Sequence, residues 1–138
     1  MYGETTVGQG VRGVATSGYG VRGVVSSGIG ASGYATTGTA VLATSANPKV
    51  GTALQAIGKV KFDKSVGIAT IAVGTSSATV TPGIDLTATS AVVATLQGGA
   101  GGTTSVRCVT VNATADTFTI YLTANATVAV KVAWHVFG

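Results

Sequence analysis

The sequence predicts an all-β chain in two parts: an N-terminal glycine-rich repeat of the β-helix or solenoid kind, then a small antiparallel β-sandwich. Three observations predict it. Glycine recurs with a spacing of ten residues through the first third of the chain. Apolar and polar residues alternate with period two, between turn-forming residues, over positions 59–138. The composition, 46% apolar with only 9% charged, is that of a chain that buries a core, not of a disordered one.

The repeat occupies residues 1–42. Written in tens it reads GETTVGQGVR from Gly3, GVATSGYGVR from Gly13, GVVSSGIGAS from Gly23 and GYATTGTAVL from Gly33. Gly8, Gly18, Gly28 and Gly38 form a second series, and Gly10, Gly20 and Gly30 a third. Ten is even, so a strand residue and its equivalent one repeat later point the same way. Glycines at fixed places mark bends or close backbone approaches, here Gly13, Gly18, Gly20, Gly23, Gly28, Gly30 and Gly33. The β-branched and hydroxyl residues between them favour short strands. If two decads make one turn, the four amount to only about two turns, below the three or so stacked units such arrays need. Three chains wound around one axis would supply the missing partners, so an intertwined homotrimer is the favoured arrangement, with a single-chain solenoid the alternative.

The connector, residues 43–58, opens where the periodicity fails. Asn47-Pro48 signals a turn, and ALQAI holds at most one or two helical turns. From position 59 onward strands follow in order. Val60 and Phe62 alternate with lysines, and GIATIAV alternates around Ile68, Thr70 and Ala72. Ala78 and Val80 lead into the turn TPGID. Ala91 to Gln97 is a continuous apolar run, read as a central strand, and GGAGG at 98–102 as a flexible tip. Val106, Cys108 and Thr110 oppose Arg107, Val109 and Val111; Phe118 to Leu122 is the next strand. In the last, Val128, Val130, Val132, Trp134 and Val136 share a face opposite Lys131, His135 and Phe137. Six or seven short strands in about 80 residues fit a sandwich. Trp134, in phase with four valines, is assigned to the core or a subunit contact.

Several function classes lose support. GQGVRG, GYGVRG and GIGASG match the glycine pattern of a dinucleotide site, but no strand precedes them, no helix follows, and no acidic residue stands about 20 positions on. The net charge is +4, spread singly along the chain, so nucleic acid is not an expected partner. No apolar run approaches the roughly 20 residues of a membrane-spanning helix. No basic-then-apolar leader follows Met1, so no signal peptide is expected. The acidic residues Asp63, Asp85 and Asp116 are dispersed near turns, and one histidine, His135, has no acidic or thiol neighbour in sequence. Cys108, the single cysteine, has no disulfide partner in the chain and is read as a buried thiol. No catalytic residue, metal site or cofactor is expected.

The decads resemble the glycine-rich repeats of bacterial surface proteins and of trimeric phage tail and head fibres. Residues 58–138 look like an H-type lectin domain. The resemblance rests on the apolar strand Ser90 to Leu96, the strand bearing Val106-Arg107, the turn ahead of Phe118, and the closing strand with Ala133-Trp134. It implies a trimer of six-stranded sandwiches that binds N-acetylgalactosamine between chains. Of that family's sugar contacts only Arg107 carries over, because Thr123 to Ala126 stands where the family has an aromatic residue and a histidine. Arg107 is therefore a candidate ligand contact or an interface hydrogen-bond donor, and His135 a candidate subunit contact. The expectation is a non-catalytic trimeric fibre or decoration protein of a virion or extracellular surface assembly. The alternative is a glycan- or receptor-binding adhesin with a lectin-like head.

Overall fold

The computed structural model describes residues 12–47 and 49–138. The chain divides into two compact units, Met1–Gln55 and Ala56–Gly138, with the boundary inside the segment read as a connector.

The first unit carries bends at intervals of ten: 16–18, 26–28 and 36–38. Each bend closes on a glycine in the left-handed region, at φ 81° for Gly18, 97° for Gly28 and 85° for Gly38. The chain then returns on itself, so that Gly13 meets the Gly20 carbonyl and Gly23 the Gly30 carbonyl, with no room for a Cβ at Gly13 or Gly23. At the next decad a Cβ on Gly33 would lie 2.7 Å from the Ala40 carbonyl oxygen. The described residues of this unit form no strand and no helix, so the helical turn allowed for ALQAI is absent. In the connector, the Asn47 carbonyl accepts the N–H groups of Val50 and Gly51 at 3.3 and 2.8 Å. Pro48, the other half of the expected turn signal, lies outside the described residues, as do Gly3, Gly8 and Gly10.

The second unit is all-β, with six strands: β1 (Val66–Ile71), β2 (Ser77–Val80), β3 (Ala91–Leu96), β4 (Val106–Asn112), β5 (Thr117–Leu122) and β6 (Val130–Phe137). They form two antiparallel sheets of three, ordered β1-β6-β3 and β2-β5-β4. Each central strand is the most deeply alternating: Phe118, Ile120 and Leu122 of β5 face Val130, Val132, Trp134 and Val136 of β6. Ile71, Leu86, Ala100 and Ala126 complete the buried cluster. At ~25 cal/mol per Å² of apolar surface removed from water, this interdigitation is what holds the two sheets together.

Five local expectations are corrected. Val60 and Phe62 form no strand; the first strand begins at Val66. The last begins at Val130, which leaves Val128 exposed and outside the core face. The Ala91–Leu96 run is an edge strand, not a central one; its apolar residues point both ways because its outward face is itself apolar. GGAGG is docked: Ala100 is buried, and its carbonyl accepts the Thr127 N–H at 2.9 Å. Finally, a bulge in β4 sets Val106 opposite Leu122 and Cys108 opposite Tyr121, with Arg107 extra. That extra residue reverses the phase, turning Cys108 outward and half-buried while Val106 and Val109 face the core.

Candidate functional site

The sandwich has two outward faces of opposite character. On the β2-β5-β4 sheet the register aligns Thr79, Thr119 and Thr110 across all three strands, and Ser77, Tyr121 and Cys108 across the next row. Thr79 and Thr119 share a hydroxyl hydrogen bond of 2.9 Å. This is the hydroxylated face expected of an antiparallel sheet that meets water. Arg107, expelled by the bulge, places its guanidinium 5.9 Å from the Tyr121 ring centre, within reach of a cation–π contact.

On the β1-β6-β3 sheet the outward face is largely apolar over two rows and turns polar at its Thr70–Lys131 end. Val66, His135 and Val93 lie side by side, and Ile68, Ala133 and Thr95 form the adjacent row. His135 is flanked by rings: Phe137 at 3.9 Å and Phe62 at 5.3 Å between centroids. His135, named from sequence as a candidate subunit contact, thus stands on the outward face in an apolar surround, with Lys131 farther along the same side of β6.

The other residues singled out by sequence do not gather into a site. Trp134 points inward and meets Phe118 edge-on, with ring centres 5.2 Å apart and planes at 69°. Asp116, at φ 49°, accepts the Leu86 N–H at 2.8 Å, so its carboxylate anchors a loop to the core. Asp63 pairs with Lys61 at 2.8 Å on the surface. The hydrogen bond and charge of each partner lower the Asp63 carboxyl below, and raise the Lys61 ammonium above, their usual ranges. Asp85 is exposed. Asn112 accepts the Ala115 N–H at 3.1 Å, a turn contact. Among the described residues no enclosed pocket is found, and no three His, Cys, Asp or Glu side chains lie close enough to hold a metal ion. No helix among them is long and apolar enough to cross a membrane.

The repeat contributes a different surface. Val14, Tyr19, Val21, Val24, Ile29 and Val41 all stand exposed, and Arg22 lies 5.3 Å over the Tyr19 ring. Between residues 12 and 46 no backbone hydrogen bond joins two described residues.

Sequence reasoning missed the apolar outward face. Its signal was present: VGIATI and AVVATL are apolar on both phases of the strand, whereas a strand with one wet face alternates. No family model, curated protein or solved structure matches the chain.

Proposed function

We propose that the chain is a non-catalytic structural protein: a homotrimeric fibre or decoration subunit, displayed on a phage particle or a bacterial surface assembly. Residues 1–42 are the intertwined stalk and 59–138 the head. The observation that carries this reading is the repeat, whose large apolar side chains stand exposed and whose backbone groups between residues 12 and 46 bond no other backbone group among the described residues. Exposed apolar surface and unpaired amides both gain from association with like segments. A period of ten residues lets parallel copies present matching faces at every level. The resemblance of the decads to fibre repeats supports the same assignment and the extracellular or virion location. Sedimentation equilibrium of the full chain tests it: the expected mass is three times 13.4 kDa, and a folded monomer of 13.4 kDa overturns it.

A second reading, a head that binds glycan or a cell-surface receptor, has one feature in its favour. The β4 bulge holds Arg107 beside Tyr121 on a face lined with hydroxyls. Bulges commonly re-aim side chains at binding sites, and sugars are held by an aromatic surface plus directional polar groups. Glycan-array binding that is reproducible and is lost in Arg107→Ala favours this reading; an array without reproducible signal removes it.

A further inference from the structure

We propose that the outward face of the β1-β6-β3 sheet is the subunit contact of the head, packed against the same face of two further copies around a threefold axis. The proposal rests on the trimer reading above and says where in residues 56–138 the trimer is made.

Away from its Thr70–Lys131 end, the face is mostly made of residues that are normally buried. Ile68 is 57% exposed, Val93 60%, and Phe62 and Phe137 50% each in the single chain. Together they expose on the order of 400 Å² of apolar area, the size of patch that marks an interaction surface. Interfaces are roughly 60% apolar, so this patch corresponds to ~700 Å² per copy, or ~350 Å² against each of two neighbours; that is below the ~800 Å² per partner of a stable complex, so the head contact adds to the stalk contact and does not replace it. The opposite sheet, built from the same chain, shows what a wet face looks like here: threonine, serine and tyrosine.

Charge narrows the occupant. Strands β1 and β3 contribute no charged residue, and the cations of the face, Lys131 near the start of β6 and Lys64 just before β1, stand at its opposite ends. The two rows between them, Val66–His135–Val93 and Ile68–Ala133–Thr95, hold no Lys, Arg, Asp or Glu. An acidic partner would find no cation there to pair with, whereas the same apolar rows of another copy fit them.

Geometry selects the number. A three-stranded sheet is ~14 Å wide at a strand spacing of ~4.8 Å. Three such sheets set as the sides of a triangular prism each lie ~4 Å from the axis, close to half the ~10 Å that packed sheets keep between them. Side chains of ordinary length then fill the centre. The central strand, β6, comes nearest the axis, where Ala133 is small and the Phe137 and His135 rings of three copies meet.

The test uses the full chain in a Cys108→Ser background, with one probe thiol at Val93→Cys or at Thr79→Cys on the opposite face. Mass is measured by sedimentation and thiol accessibility by reaction with a polar maleimide. The expected result is a trimer in which the thiol at 93 reacts at least roughly tenfold more slowly than that at 79, the protection given by a contact that opens rarely. Ile68→Cys is a second probe of the same face should Val93→Cys fail to fold. A trimer in which positions 93 and 68 react as fast as 79 overturns the proposal and leaves the stalk-driven trimer standing. A protected dimer overturns the threefold arrangement. A monomer overturns both this proposal and the trimer reading.

Discussion

Gly67 lies directly across from Trp134, and the indole fills the space that a Cβ at position 67 would need, with Cε2 only 2.8 Å from that point. On the other side of Trp134 the register places Ala94. The row is small, large, small across three strands. The tryptophan can therefore lie over its own sheet and turn an edge toward Phe118 in the facing one. The only buried side-chain nitrogen or oxygen without a hydrogen-bond partner among the described residues is the indole Nε1, so packing and not polarity fixes this residue.

Trp134→Ala should destabilise the head by about 3–5 kcal/mol, the range for a large buried aromatic. Trp134→Phe should be milder, because it removes an unpaired N–H along with the lost volume. Gly67→Val should cost ~1–3 kcal/mol by overpacking, and less in the Trp134→Phe background. Urea unfolding followed by circular dichroism measures all four proteins, and additive costs would refute the contact. In the native protein the indole emission should be blue-shifted and resist iodide; red-shifted, readily quenched emission contradicts the core assignment.

Asp116 joins two loops through one bond. Its carboxylate accepts the Leu86 N–H across 30 residues, and Leu86 is buried. Asp116→Asn keeps an acceptor and tolerates a positive φ, so it should change the unfolding midpoint little. Asp116→Ala leaves the N–H unpaired and strains the backbone, and should cost ~1–3 kcal/mol. Equal midpoints for the two variants would show that the bond carries no stability.

These contacts show what the sequence could reveal. Alternation alone located the core face of β6, because Val130, Val132, Trp134 and Val136 leave no second phase to choose, while β5 was read as a strand with no face assigned. The Arg107 bulge was invisible: one inserted residue has no composition of its own, yet it reversed the phase and put Cys108 on the outward face. Ala100 was misread for a related reason. Flanking glycines announce backbone freedom, whereas the bond from Thr127 that removes it is long-range. The outward apolar face was hidden because an edge strand with two apolar faces reads like a central strand. Phe62 reaches the candidate interface from outside any strand, so no periodicity could place it there.

In the repeat, backbone conformation gives a sharp contrast between glycines. Gly18 and Gly28 have open space around them, but their positive φ penalises any β-branched residue. Gly99 has open space and no such constraint. Gly18→Val and Gly28→Val should each reduce the trimer fraction at fixed concentration, while Gly99→Val leaves it unchanged. Sedimentation velocity on the three variants checks this. Equal tolerance would mean that the periodic bends do not shape the assembled stalk.

The head interface should tolerate no fixed charge at His135. In the proposed contact His135 and its ring neighbours Phe62 and Phe137 lie close to the threefold axis. The charged groups nearest it are Lys131 on the same face of β6, Lys64 just before Val66, and the Lys61–Asp63 pair beside Phe62. His135→Lys sets one further cation per copy amid those rings, where a charge loses its water without gaining a partner. It should lower both the trimer fraction and the thiol protection at Val93→Cys. His135→Phe keeps the ring contacts and should leave both near the parent values. Sedimentation velocity and maleimide reaction on the two variants check this, and equal behaviour of His135→Lys and His135→Phe would remove His135 from the interface.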